Sequence, residues 1–288
     1  MVGGVMTVSI HHLHATENTF LVADVRGDDA LAARLAADAS ALCAPGRFGG
    51  ADGLILLGAP DAASDADCTM RLINADGTDA EMSGNGIRTL AHVAHGLGLG
   101  DGRRLAVDTA AGRRTLDLVV DAADTLVAAT VDMGGAVFDA ASIPTTADPV
   151  TGIAAEIDGV TYEGDAIGMG NPHWVLLVDD PGTSAVREHG PVLEHDPRFP
   201  NRTNVEFVTV TPGESDAITM RVWERGVGET RSCGTGACAA ATAVHRRGLV
   251  GDRVTVHVPG GDLTVEIGER IRLTGPVVET GVHPLEVP

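Results

Sequence analysis

The stretch Glu81-Met82-Ser83-Gly84-Asn85-Gly86-Ile87-Arg88 returns 150 residues later as Ser232-Cys233-Gly234-Thr235-Gly236-Ala237, with a serine in one copy and a cysteine in the other just before paired glycines. The same offset aligns Thr69-Met70-Arg71 with Thr219-Met220-Arg221, Ala91 with Ala241, His95 with His245 and Gly98-Leu99 with Gly248-Leu249, which with the glycines makes nine identities. With one residue deleted, the match runs on from Leu105-Ala106-Val107, Gly112 and Thr115 to Val254-Thr255-Val256, Gly261 and Thr264. The repeat therefore covers strand, turn, helix and strand. Its period exceeds the roughly 20 to 50 residues of solenoid repeats and signifies two homologous domains.

A pass along the chain predicts an N-terminal strand through Val5, Thr7, Val8 and Ile10, then a helix from about Asp28 to Cys43. That helix rests on Leu31, Leu35, Ala39 and Leu42 at helical spacing behind the cap candidates Asp28 and Asp29. Strands follow near 54–57 and 69–73, then a helix over about 85–97, then strands near 105–109 and 115–120. The second half replays the order with strands near 174–178, 206–211 and 219–223, a helix after Cys233, and closing strands over 253–258, 263–267 and 270–273. The Gly/Pro/Thr-rich run between about Gly134 and Gly152 reads as the crossover. Helix-poor halves with many short, valine-rich strands give the fold class α+β, two pseudo-symmetric domains, each a curled, antiparallel-rich sheet around a central helix, with a cleft between them. The expected domains are 1–130 and 131–274, with 275–288 as a tail available to pack back on the first.

Acids outnumber bases 40 to 20 in 288 residues, for a net charge of -20. Every base other than histidine is arginine, and the chain contains neither lysine nor glutamine. Such a charge repels nucleic acid and anionic membranes, so neither is an expected partner. The acid excess reads as a surface adapted to high salt, where screening shortens the repulsion to a few ångströms. Without lysine, an internal Schiff base to pyridoxal phosphate is excluded, and no cofactor and no metal are expected. The first residues hold no basic or long apolar leader, so a soluble, cytoplasmic protein is expected. Cysteines 43, 68, 233 and 238 contain no C-x-x-C pair, and Cys233 and Cys238 fall on different faces of one helix, which fits a reduced interior.

Gly84-Asn85-Gly86 and Gly234-Thr235-Gly236 each open a helix, where backbone N–H groups and the positive dipole end can hold a carboxylate. Either motif alone reads as an ordinary glycine-rich cap. The duplication, with a reactive side chain before each, points instead to two proton-transfer groups flanking one carbon, an arrangement that inverts a stereocentre. Cys233 at a helix N-terminus is expected to have a depressed pKa. Cys43, Cys68 and Cys238 read as small buried hydrophobes. Five of the six asparagines (Asn18, Asn74, Asn85, Asn171 and Asn204) lie in glycine- or turn-flanked motifs. Gly170-Asn171-Pro172-His173 and Trp223-Glu224-Arg225-Gly226-Val227-Gly228-Glu229-Thr230 add an imidazole, a carboxylate and a guanidinium suited to a zwitterionic ligand. Taken singly, His173 reads equally as a hydrogen-bonded structural histidine and Glu224-Arg225 as a plain ion pair.

Asn74-Ala75-Asp76-Gly77, the Ser83 motif, Val131-Asp132-Met133-Gly134, Gly170-Asn171-Pro172-His173, Asn204-Val205-Glu206-Phe207 and Glu224-Arg225-Gly226 through Gly236 together resemble diaminopimelate epimerases, in order over nearly the whole chain. The resemblance implies a pyridoxal-independent epimerase converting LL-2,6-diaminopimelate to the meso form on the route to lysine, with two cysteines as thiolate base and thiol acid. Matched by position, Asn18, Asn74, Asn204 and Arg225 would hold the distal amino-acid end, and the backbones of Gly84, Asn85, Gly234 and Thr235 the reacting carboxylate. His173 and Glu224 would tune the acid-base pair, with Asn171 beside them.

The sequence departs from the pattern at two places. The first catalytic cysteine of the family is Ser83 here, and a hydroxyl is far less acidic than a thiol with a reference pKa near 8.5. The glycine-rich run before the first asparagine reads His14-Ala15-Thr16-Glu17-Asn18-Thr19-Phe20. Two further readings therefore stand beside the epimerase: a lyase or one-sided isomerase of the same superfamily using the Ser83/Cys233 pair, and a non-catalytic amino-acid-binding homologue. The expected partner is a small amino acid, and the sequence leaves a homodimer open.

Overall fold

The computed structural model describes residues 6–80 and 82–287, so Val5 and Glu81 of the sequence reading lie outside the described residues. The chain divides into two compact units, one formed by the residues up to Val131 with those from Gly275 onward, the other by Asp132–Thr274.

The first unit contains β1 (Met6–Ala15), β2 (Asn18–Asp24), α1 (Asp29–Ala37), α2 (Ala39–Cys43), β3 (Gly53–Gly58), β4 (Cys68–Asn74), β5 (Asp79–Ala80), α3 (Gly84–Gly96), β6 (Arg104–Thr109), β7 (Gly112–Val120) and β8 (Leu126–Gly134), whose last residues pass the unit boundary. Then come β9 (Ile153–Ile157), β10 (Val160–Gly168), β11 (Pro172–Leu177), α4 (Val186–Glu194), β12 (Asn204–Val210), β13 (Ala217–Glu224), β14 (Gly228–Thr230), α5 (Gly234–Arg246), β15 (Arg253–Val258), β16 (Gly261–Glu266) and β17 (Ile271–Pro276). The chain closes with β18 (Val278–Val287), which returns to the first unit and pairs antiparallel with β1.

Strand registers reproduce the sequence repeat pair by pair. In the first unit β2 runs parallel to β3, β3 antiparallel to β4, and β4 parallel to β6. The second unit repeats this with β11, β12, β13 and β15. Cys68 pairs with Val107 as Ile218 pairs with Val256, and Leu105 pairs with Leu116 as Val254 pairs with Val265. The thirteen-residue helices α3 and α5 occupy equivalent places, and each is buried along most of its length. The run of alanines in α5 lets valine-rich strands close on it, forming a core with Val175, Val208, Met220, Val222, Val254 and Val256.

Side chains alternate across a strand, so each sheet has a second face. In the second unit Trp174, Leu176, Val205 and Phe207 point away from α5 and pack with Leu193 of α4 and with Phe199. In the first, Leu21, Leu54 and Leu56 pack beneath α1 and α2. Asp28 caps α1 by accepting from the Leu31 amide at 2.8 Å, which leaves Leu31 and Leu35 facing the core. The single helix expected from Asp28 to Cys43 is broken at Asp38, where the backbone leaves helical geometry (φ -93, ψ 2) and the second segment buries Ala39, Leu42 and Cys43. Helix α4 was not legible, because Pro191 lies inside it and its apolar positions are few. All four cysteines are free and buried.

Gly164 marks a close approach between β10 and β11. A methyl group there would stand 2.0 Å from the carbonyl oxygen of Val175, a backbone atom that cannot swing away. Gly164→Ala is expected to destabilise the fold by about 1–3 kcal/mol, the usual range for overpacking, read as a lower denaturant midpoint with an unchanged slope.

Candidate active site

Three adjacent strands bring ionisable groups to the first turn of α5. On β11 and β12, His173 and Glu206 occupy the face that also carries Val175 and Val208 toward α5, and Glu224 continues that face of β13 after Met220 and Val222. Alternation alone therefore aims an imidazole and two carboxylates at one helix end.

There Cys233 is the N-cap, in extended geometry (φ -125, ψ 115). Its sulfur accepts from the Gly236 amide at 3.4 Å and lies 3.5 Å from the Thr235 hydroxyl. A Cβ on Gly236 would meet Glu206 Oε1 at 2.8 Å and the Cys233 sulfur at 3.3 Å, so the second glycine of the motif makes room for the strand and cap side chains. His173 Nδ1 lies 2.7 Å from Glu206 Oε1 and its Nε2 lies 2.8 Å from Asn171 Oδ1. Both His173 and Glu206 are wholly inaccessible to solvent. The Thr230 hydroxyl donates to the Glu224 carboxylate, which bears electrostatically on Cys233.

The depressed Cys233 pKa expected from a helix N-terminus is overturned. Burial holds the thiol well above its ordinary value, the Glu224 and Glu206 carboxylates push it further, and the opposing contacts from Thr235 and the Gly236 amide do not compensate. The helix end stabilises a thiolate only through groups that touch it, whereas desolvation and two carboxylates act on the same atom. Glu224 is raised as well, chiefly by burial, with hydrogen bonds from Thr230 and Cys233 and the charge of His173 working against the shift. The site therefore sets a thiol held toward its protonated form near a carboxyl group whose proton affinity is also raised.

Asn204 ties the strands together, its Nδ2 donating to the Pro172 carbonyl and its Oδ1 accepting from the Arg225 amide, each at 2.9 Å. The Arg225 guanidinium is half-buried and reaches the Asn201 carbonyl at 3.3 Å. Asn171, His173, Asn204, Glu224, Arg225, Cys233, Gly234 and Thr235 thus share one neighbourhood of the second unit.

In the first unit Ser83 caps α3 with nearly the same backbone (φ -133, ψ 126), its Oγ accepting from the Gly86 amide at 3.1 Å. A Cβ on Gly86 would meet Ile55 Cδ1 at 3.1 Å and Ser83 Cβ at 3.2 Å. Asn85 follows Gly84 in the first helical turn and donates to Asn18 Oδ1 at 3.2 Å, while Asn18 donates to Asp52 at 2.6 Å. Asn74 pairs with Gly53, next to Asp52, but its side chain stays in its own turn, donating to Thr78 Oγ1 at 3.1 Å.

Superposing the registers exposes a difference between the halves. Where the second unit has His173, Glu206 and Glu224, the first has Phe20, Ile55 and Asn74 at the matching positions of β2, β3 and β4. Sequence reasoning quoted Glu206 and Thr230 without giving either a role of its own and missed Asp52. A glutamate at an inward position between Val205 and Phe207 was the available signal, but only strand pairing reveals what it faces. Among the described residues no three His, Cys, Asp or Glu side chains are grouped to hold a metal ion, and no helix is long and apolar enough to cross a membrane.

Known structures share this architecture. A hydroxyproline epimerase from Agrobacterium vitis superposes with a TM-score of 0.69 at 16% identity, over 98% of this chain and 93% of that one. A predicted epimerase from Pseudomonas aeruginosa gives 0.67 at 18% identity, over 96% and 99%. At the sequence level, the diaminopimelate epimerase of Desulfitobacterium hafniense is 44% identical over 236 residues, 80% of this chain and 81% of that protein. The diaminopimelate epimerase of Thioalkalivibrio sulfidiphilus is 38% identical over 289 residues, 98% and 100% of the two chains. The family model described as diaminopimelate epimerase matches residues 11–138 and 166–281. With both repeats and both capped helices inside the matched segments, the chain belongs to the diaminopimelate epimerase family.

Proposed function

We propose that this protein epimerises LL-2,6-diaminopimelate to meso-diaminopimelate in lysine biosynthesis, without pyridoxal phosphate, in a salt-rich cytoplasm. The observation that carries the reading is the duplicated helix cap, Ser83 on α3 and Cys233 on α5, with one backbone geometry and one amide contact in each half. In the reaction proposed here, Cys233 passes its proton to Glu224 and the resulting thiolate removes the α-proton of one stereoisomer. Ser83 returns a proton to the opposite face of the carbon, and exchange with solvent then reprotonates Ser83 and removes the proton from Glu224. The reverse direction exchanges the two roles. Amides of Gly84, Asn85, Gly234 and Thr235 would hold the reacting carboxylate, where two helix N-termini favour the charge that develops as the proton leaves. Asn18, Asn74, Asn204 and Arg225 would hold the distal amino-acid end, with His173 and Asn171 orienting the Cys233 side.

A second reading has a specific observation in its favour. The positions around Ser83 that match His173, Glu206 and Glu224 hold Phe20, Ile55 and Asn74, so these give Ser83 no ionisable partner. On that reading only the Cys233 half exchanges protons, as in a one-sided isomerase or lyase.

Incubation with LL- and, separately, meso-diaminopimelate in deuterated high-salt buffer distinguishes these cases. Inversion with α-deuterium uptake from both isomers supports the epimerase. Uptake without inversion from one isomer alone supports the one-sided reading, and no uptake from either overturns both. Ser83→Cys is expected to raise the epimerisation rate by orders of magnitude, about the 10²–10⁴-fold that a competent general acid or base contributes, and Cys233→Ala to abolish it. An unchanged rate in Ser83→Cys would show that Ser83 is not the limiting group.

The electrostatics give a separate prediction. Because the Glu224 carboxylate opposes ionisation of Cys233, Glu224→Gln is expected to move the thiol titration to lower pH while reducing kcat about 10²-fold through loss of the proton acceptor. Thiolate absorbance, read as the difference from Cys233→Ala across pH, measures the first effect, and steady-state turnover the second. A titration moving to higher pH would contradict the charge argument.

A further inference from the structure

We infer that Glu206 is a positioning residue of the Cys233 half-site and that it shares one proton with His173, so that the pair places no net charge beside the thiol. The functional part of this inference rests on the epimerase reading, but the proton count does not.

The count follows from the two ring contacts. Asn171 Oδ1 can only accept, so His173 Nε2, 2.8 Å away, carries a proton. The 2.7 Å contact between His173 Nδ1 and Glu206 Oε1 needs a second proton, held either by the ring or by the carboxyl group. A neutral imidazole beside an ionised Glu206 supplies only one. The opposite amide orientation of Asn171 would present an N–H to Nε2 and need just that one proton, leaving a bare carboxylate charge.

Two observations favour the shared proton. Glu206 is wholly buried, and its Oε2 has no hydrogen-bond partner among the described residues. A fully charged carboxylate wholly buried with one oxygen unpartnered is costly, whereas a pair that holds a proton avoids that cost. A second acid, the half-buried Glu224, bears on Cys233 along with Glu206. Moving the thiol proton to Glu224 in front of an uncompensated Glu206 would leave two negative charges, thiolate and carboxylate, in one largely buried site. With the proton shared, the thiolate faces no second charge from the Glu206 pair.

The pair is not demanded by the fold. Ile55 fills the corresponding place under the first turn of α3, as Glu206 Oε1 does under α5. An apolar residue therefore satisfies the same packing, and the carboxyl group at 206 is retained at an energetic cost that packing does not explain. Its geometry is fixed from three sides, by Gly236 above, by the register of β12 between β11 and β13, and by the ring of His173.

The test uses the full chain with ¹⁵N-labelled histidine at neutral pH, the His173 ring being assigned by through-bond connectivity. A proton on Nε2 is the expected result. A ring protonated at Nδ1 alone would mean an ionised, unshared Glu206 and would overturn the inference. The positioning role is tested by turnover: Glu206→Gln is expected to lose about tenfold or more in kcat with KM changed less than threefold, and Glu206→Asp, which keeps a carboxyl group, to recover part of the loss. A folded Glu206→Gln with wild-type kcat would overturn that role. Should the wild-type chain show no turnover, the epimerase reading fails, while the ring measurement still decides the proton count.

Discussion

Each half of this protein depends on satisfying the first turn of a helix enclosed by a sheet. The amides of that turn have no partner within the helix, and burial removes water as a substitute. Ser83 and Cys233 meet the requirement in the same way, as extended caps whose side-chain oxygen or sulfur accepts from the third residue on. Glycine at 86 and 236 is the consequence. The strand beneath and the cap itself come so close that a methyl group at 236 would stand 2.8 Å from Glu206 Oε1, and one at 86 would press on Ile55 and Ser83 at 3.1 and 3.2 Å. A structural need thus holds a hydroxyl and a thiol at two equivalent helix ends, where binding of a carboxylate and movement of a proton can be built on the same atoms.

What is built differs between the halves. Backbone, register and caps repeat, yet three inward strand positions that hold Phe20, Ile55 and Asn74 in one unit hold His173, Glu206 and Glu224 in the other. The second unit therefore concentrates ionisable groups in a largely buried site, and desolvation rather than the helix end governs Cys233. A raised thiol beside a raised carboxyl is a pair between which a proton can pass, whereas a thiol stabilised as thiolate at rest would be a weaker base. The serine at 83 has the cap geometry without that surrounding, which makes the two sides chemically unequal.

Much of this was legible in the residues. The repeat fixed two similar units because identities such as Thr69-Met70-Arg71 with Thr219-Met220-Arg221 fall on β4 and β13, strands with the same neighbours. Cap and helix were readable at Cys233 and Ser83 since the first turn of a helix is a local event. Less visible were α4, with a proline in its interior, and the break at Asp38, where burial of Leu42 and Cys43 outweighs continuous helical spacing. The pKa of Cys233 was misjudged for a related reason. A helix N-terminus can be seen in sequence, but two carboxylates arriving from strands 9 and 27 residues away cannot.

By itself the sequence determined the duplication, the alternation of strand faces, the two capped helices and the side chains that each position offers, because these depend on local spacing and residue chemistry. Only the tertiary structure decided that His173, Glu206, Glu224 and Cys233 meet, that His173, Glu206 and Cys233 are buried where they do, and that Ile55 and Phe20 stand in for two of them in the other half. Strand pairing across long chain separations and the loss of solvent are collective outcomes of folding, and the electrostatics of the site follow from both.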